Sequence, residues 1–251
     1  MGGRTPHGGA VGGRPVARGA VVGGPPGPGL VRVLLRPVVR TVPWRMIAAG
    51  GGLGLLFAAW PRLMGEEANG QAALTALRAS ALAFALGAGF LLDDPARHTT
   101  AAVPTRRALR HALRLALLLP VAALWWTAAL LLAPERIRPP VADITVEAAT
   151  ILAIALTGAA LAVRRGDSAR PGQAVAGFLL GSAILAPLLG PESWALFAGA
   201  GDPRWPAAHD RWTVLLCAVL LTGAASATEP VRRRTLGRLM SPSGTSDPSR
   251  G

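Results

Sequence analysis

The chain has 251 residues, of which 51% are hydrophobic and only 16% charged, and its mean hydropathy is +0.41, too apolar for an ordinary soluble domain of this size. Its 26 basic residues are all arginine against 13 acids, a formal net charge of +13. That charge lies between apolar stretches and not on a soluble face with interleaved aromatics, which argues against a nucleic-acid partner and for a lipid bilayer.

Residues 1–29 are Gly, Pro and Ala with scattered Arg, a composition expected to form a disordered tail and not a signal peptide, because no apolar core of adequate length follows Arg4. In residues 30–45, Arg32, Arg36 and Arg40 recur every four positions among Leu34, Leu35, Val38 and Val39. This pattern reads either as an amphipathic helix in the headgroup plane or as a loose basic flank that fixes orientation. A six-span transmembrane domain is expected over residues 46–230, followed by a basic, mostly disordered tail at 231–251.

The six apolar segments run from Met46 to Trp60, Ala72 to Leu92, Leu115 to Leu132, Ile144 to Val163, Ala174 to Gly190 and Trp212 to Thr228. Crossing a hydrocarbon core of about 30 Å takes roughly 20 helical residues. The first and last segments are short by that measure, but Trp44, Trp60 and Trp212 stand at their ends as interfacial anchors. The fold class that follows is an all-α polytopic helix bundle.

Arginine distribution sets the orientation. Twenty arginines fall in the N-terminal region, the Asp93 to Arg114 loop, the Arg164 to Gln173 loop and the C-terminal tail, whereas the alternate segments, counted with Arg78 and Glu147, hold six arginines and eight of the thirteen acids. Positive charge resists translocation, so both termini are expected in the cytoplasm, the chain residing in the cell membrane.

Few polar residues fall within the spans, and they are the pointers to function because an ionised group at membrane depth costs several kcal/mol unless it is paired or watered. Arg78 lies in the second span, while Asp143 and Glu147, four apart and so on one helical face, begin the fourth. Two carboxylates facing one guanidinium form a candidate intramembrane site; the alternative is that all three snorkel to water at the interface. Gly177 and Gly181 form a GxxxG, and Gly50, Gly51, Gly52, Gly54, Gly87 and Gly89 add further small positions. Cys217 is expected as a small buried residue, and His209 in the connecting stretch PRWPAAHDRW as a lone surface histidine.

No span clusters the His, Asp, Ser or Cys groups that nucleophilic or proton-transfer chemistry needs, so neither an enzyme, a cofactor nor a metal site is expected. A Walker motif is excluded by the complete absence of lysine; any ATP must be hydrolysed by another chain. The helical stretch from Thr105, with Arg106, Arg107, Arg110 and Arg114 along one side, is a candidate contact for such a partner.

The run LLDDPAR at Leu91 to Arg97, the AVPTRR that follows, HDRW at His209 to Trp212 and the helix ending at Ser226 to Pro230 together resemble a group of small actinobacterial six-span membrane components of ABC transporters. The resemblance spans about Met46 to Arg234. It implies a permease-like subunit working with a separate ATP-binding subunit; a secondary transporter using Arg78 and Glu147, or a non-transporting scaffold, are the other classes the sequence leaves open. A homo-oligomer is among the assemblies it allows. A topology reporter fused after Arg234 is expected to read cytoplasmic, and a reporter inserted in the Pro134 to Pro140 connection to read external; the reverse pattern would invert the orientation.

Overall fold

The computed structural model describes residues 39–40, 42–92, 107–165, 171–190, 194 and 196–227. The tail at 1–29, most of the segment at 30–45, the Asp93 to Arg106 connection and the tail at 231–251 lie outside them. Among the described residues six long helices follow in order: α1 Trp44–Leu63, α2 Gly70–Gly89, α3 Arg107–Leu132, α4 Val141–Arg165, α5 Pro171–Leu189 and α6 Trp205–Ala227. No strand occurs among the described residues.

Five of these, α1 to α5, contain a stretch long and apolar enough to cross a membrane. The outward surface matches a lipid solvent: Leu56, Leu124, Leu188 and Leu221 are each about two-thirds or more exposed, and large aliphatics recur along the faces of α1, α3, α5 and α6. The chain is an integral membrane protein.

The sixth helix differs from expectation. It starts at Trp205, seven residues before Trp212, and its first turns carry His209, Asp210 and Arg211, which lower its hydropathy. Its depth follows from its neighbour. Trp205 bonds Asp143, the Thr150 hydroxyl reaches the Trp212 carbonyl at 3.5 Å, Thr157 reaches the Val219 carbonyl at 3.5 Å, and Arg164 reaches the Ser226 carbonyl, each pair 62 residues apart. Asp143, Thr150, Thr157 and Arg164 recur every seven residues, so one edge of α4 meets α6 from end to end without losing register. The two helices are parallel and of equal reach, and where α4 crosses, α6 crosses with it.

The bundle is organised around α2, which has 67% of its span buried against 17–28% for the other four. Asn69 starts it by accepting the Ala72 N–H at 2.9 Å, after a turn in which Gly65 adopts a φ of 64°. Helix α1 runs antiparallel beside it at close range. A Cβ at Gly87 would stand 2.5 Å from the Met46 carbonyl oxygen, and one at Gly50 2.5 Å from the Ala83 carbonyl oxygen. Trp125 of α3 fills the remaining groove: it stacks on Phe84 with centroids 4.3 Å apart, donates to the Gly51 carbonyl at 2.9 Å, and occupies the space a side chain at Gly54 would need. Val175 of α5 wedges against Gly89 and Gly158. By contrast nothing lies within 4 Å of a Cβ built at Gly177 or Gly181, so the GxxxG most visible in the sequence faces away from the bundle.

Two single-residue expectations are also corrected. Cys217 is exposed on the outer surface of α6, because the edge of that helix taken by α4 carries Trp212, Val219 and Gly223. Trp212 is no interfacial anchor: it is buried, donating to the Leu196 carbonyl at 2.8 Å and meeting Phe197 edge to face. Trp44 and Trp60 are exposed, as anchors must be.

Replacing Gly87 by Ala forces the α1 and α2 backbones apart and is expected to lower stability by about 1–3 kcal/mol. Gly177→Ala and Gly181→Ala should stay within about 0.5 kcal/mol of wild type. Reversible unfolding in mixed detergent and lipid measures both; equal effects would contradict the packing described.

Candidate functional site

The site lies at the end of the bundle where α1 and α3 finish and α2, α4 and α6 begin. Arg78 sits two turns into α2, the central helix, so its stem is enclosed by neighbours and its head must find a partner inside. It finds Glu147 on α4. The guanidinium Nε donates to one carboxylate oxygen at 2.6 Å and a terminal nitrogen to the other at 2.7 Å, a two-pronged pairing that satisfies both oxygens. Glu147 is 1% exposed, so the snorkelling alternative does not hold for it. Arg78 also donates to the Ala198 carbonyl at 3.2 Å and lies 5.7 Å from the Phe197 ring centroid.

His209 is the residue sequence reasoning misplaced. Far from lying on the surface, it is 7% exposed on the second turn of α6, with Nε2 2.9 Å from the Glu147 carboxylate. Its Nδ1 is 2.9 Å from the Trp205 carbonyl, which can only accept, so Nδ1 carries a hydrogen. Contact between Nε2 and the carboxylate is then attractive only with a proton between them. That contact is close but bent away from the line of a good hydrogen bond. Glu147 therefore holds Arg78 firmly and His209 loosely.

Asp143, one turn before Glu147, does not face Arg78. It accepts the Trp205 indole N–H at 2.6 Å, and the Trp205 ring in turn lies 4.2 Å from the His209 ring. The three predicted residues thus share one network, but Asp143 joins it through Trp205 and His209. Gln71, at the start of α2, accepts the Ala200 N–H at 3.1 Å and pins the connection that carries Ala198. One signal in the sequence marks His209: Asp202 followed by Pro206 is a helix start, and starting α6 there sets His209 at the depth of Glu147.

The second group of candidates divides. Arg114 is buried and donates to the Leu91 carbonyl at 3.1 Å, closing the end of the α2 segment instead of facing outward. Arg106 lies outside the described residues, as do the side chains of Arg107 and Arg110, whose backbone belongs to the first turn of α3. Among the described residues no three His, Cys, Asp or Glu side chains are grouped so as to hold a metal ion.

Chemically the cluster is a buried carboxylate held by a guanidinium and touched by an imidazole, each on a different helix. It can lock three helices together. No protein family, characterised protein or solved structure matches the chain.

Removing one partner leaves the other buried without its main counter-charge, so Glu147→Gln and Arg78→Met are each expected to cost about 3–5 kcal/mol. The double variant Arg78→Met/Glu147→Met should recover part of that loss. A double-mutant cycle on unfolding in lipid-detergent mixtures reads the coupling; additive losses would deny the pair its role.

Proposed function

We propose that this chain is the membrane-spanning, permease-like subunit of an ABC-type transport system, working with a separate ATP-binding protein. The observation that carries the transport reading is the buried Arg78, Glu147 and His209 cluster. Ionisable groups held at membrane depth are costly, and in membrane proteins they mark solute paths and the joints that move around them. Here each member sits on a different span, so displacement of any one helix obliges the other two to re-pair. The separate ATP-binding protein is part of this reading because the sequence, without lysine, holds no Walker motif with which to bind ATP itself.

In this reading the arginine-rich connections lie in the cytoplasm of a cell whose plasma membrane the chain crosses, and the Glu147 end faces out. Arg106, Arg107 and Arg110 meet the ATP-binding subunit, while Arg114 anchors that stretch to the Leu91 carbonyl.

The contact between His209 and Glu147 favours a second reading, a secondary transporter in which proton movement between these two groups is coupled to solute flux. A scaffold without transport predicts neither behaviour.

The full chain, affinity-purified from its native membranes in mild detergent, is expected to bring with it vanadate-sensitive ATP hydrolysis that is lost when Arg106, Arg107 and Arg110 are replaced by Glu. Absence of co-eluting hydrolysis, together with proton uptake by proteoliposomes of the chain alone that is lost in Glu147→Gln, would overturn the ABC reading in favour of the second. Absence of both would overturn transport.

A further inference from the structure

A cleft of about 490 Å³ opens at the Glu147 end, within the size range of small-molecule sites, roughly 300–1,000 Å³. Its walls include Arg136, Arg138, Gly70, Pro140, Gly201 and Trp205. Three of these mark the same thing. Gly70 is the first residue of α2, Pro140 immediately precedes α4, and Trp205 is the first residue of α6. Three helix starts therefore converge on one cavity and contribute the partial positive charge of their dipoles, although Asn69 already accepts the Ala72 N–H of α2, the Asp202 carbonyl accepts the Trp205 N–H of α6, and Pro206 has no N–H to offer.

The side chains add to that field. Arg136 and Arg138 spend one nitrogen each on backbone, donating to the Gly65 carbonyl at 2.8 Å and the Ala133 carbonyl at 2.7 Å. These bonds fix the two guanidinium groups while leaving each further donors. The Nε of Arg138 is enclosed and without a hydrogen-bond partner, so the donors Arg138 can offer the cleft are those of its terminal nitrogens. The one acid on the wall, Asp202, is already engaged: its carboxylate accepts from the Arg204 backbone N–H at 2.8 Å and from the Arg204 guanidinium at 3.0 and 3.2 Å. That guanidinium holds the Asp202 carboxyl below its ordinary 3.8, so it stays ionised and paired with Arg204. The excess charge of the cleft is positive.

We propose that this cleft binds a phosphate-bearing group, either a water-borne phosphate compound or the headgroup of an anionic lipid. A tetrahedral anion with several oxygens suits two forked guanidinium side chains in the partial positive charge of the helix starts around them. Because Trp205 is both a wall of the cleft and the donor to Asp143, and its ring lies against His209, the bound anion sits one side chain away from the buried cluster.

The test uses the full chain in phosphatidylcholine nanodiscs at about 0.15 M salt, where surface charge is largely screened. Inorganic phosphate is titrated calorimetrically, and in a second arm phosphatidylglycerol is titrated into the discs while thermal unfolding is followed. Saturable binding of inorganic phosphate identifies a water-borne ligand; saturable stabilisation by phosphatidylglycerol alone identifies a lipid headgroup. In either case the apparent affinity should fall at least about tenfold in Arg136→Gln/Arg138→Gln and remain unchanged in Cys217→Ser, on the outer surface of α6 and away from the cleft. Ala200→Glu, on an exposed wall, removes no bond and should weaken binding equally, which separates loss of the site from misfolding. Saturation by neither probe, or affinity unchanged in both cleft variants, would overturn the proposal.

Discussion

The constraint on which the structure depends is the Glu147 carboxylate, buried within a membrane bundle and therefore obliged to find its counter-charge inside the protein. Arg78 answers from the central helix, and the His209 ring from the last helix lies against the same carboxylate. Around this meeting the neighbouring pieces are arranged: Phe197 over the guanidinium, Ala198 accepting from it, Trp205 against the imidazole, and Asp143 behind Trp205. A bundle held only by apolar contacts has little to fix the rotation of one helix against the next, since lipid is as apolar as the interface. A charge cluster on three helices supplies that rotation.

Elsewhere the arginines do related work in a simpler form. Arg62 donates to the Leu131 and Leu132 carbonyls at the end of α3, Arg138 to Ala133 just beyond it, Arg114 to Leu91 after α2, and Arg164 to Ser226 at the end of α6. The final carbonyls of a helix lack intrahelical partners and carry partial negative charge, so a guanidinium arriving from a neighbouring helix satisfies both needs. Four arginines are thereby used in holding helix ends together. Close backbone approach at Gly50 and Gly87 and the seven-residue polar seam between α4 and α6 then bind the helices along their length.

How much of this was legible in the sequence depends on whether the determining signal is local. Long apolar runs gave the helices, and Arg78 with Glu147 stood out because a charge in such a run is conspicuous. Six apolar segments were read, and the last needed its neighbour to establish its depth, since α6 begins with polar turns. His209 was misplaced because hydropathy sets the start of α6 at Trp212, whereas the helix-starting chemistry of Asp202 and Pro206 moves it to Trp205. Which glycines matter was not legible: Gly177 and Gly181 have the familiar spacing, but it is Gly50, Gly54, Gly87 and Gly223 that another helix approaches to within 3 Å of a Cβ position, and that depends on where Trp125, Thr157 and the α1 backbone lie. The convergence of three helix starts on one cleft is likewise a property of the assembled bundle.

The most direct test of the account is a distance in the bilayer itself. Solid-state NMR on the full chain in lipid, with the Glu147 carboxyl carbon and the arginine side-chain nitrogens isotopically labelled, should detect the strong dipolar coupling that nitrogen-to-oxygen contacts of 2.6 and 2.7 Å require, and the coupling should vanish in Arg78→Met. A Glu147 carboxyl carbon with no arginine nitrogen nearby would contradict it.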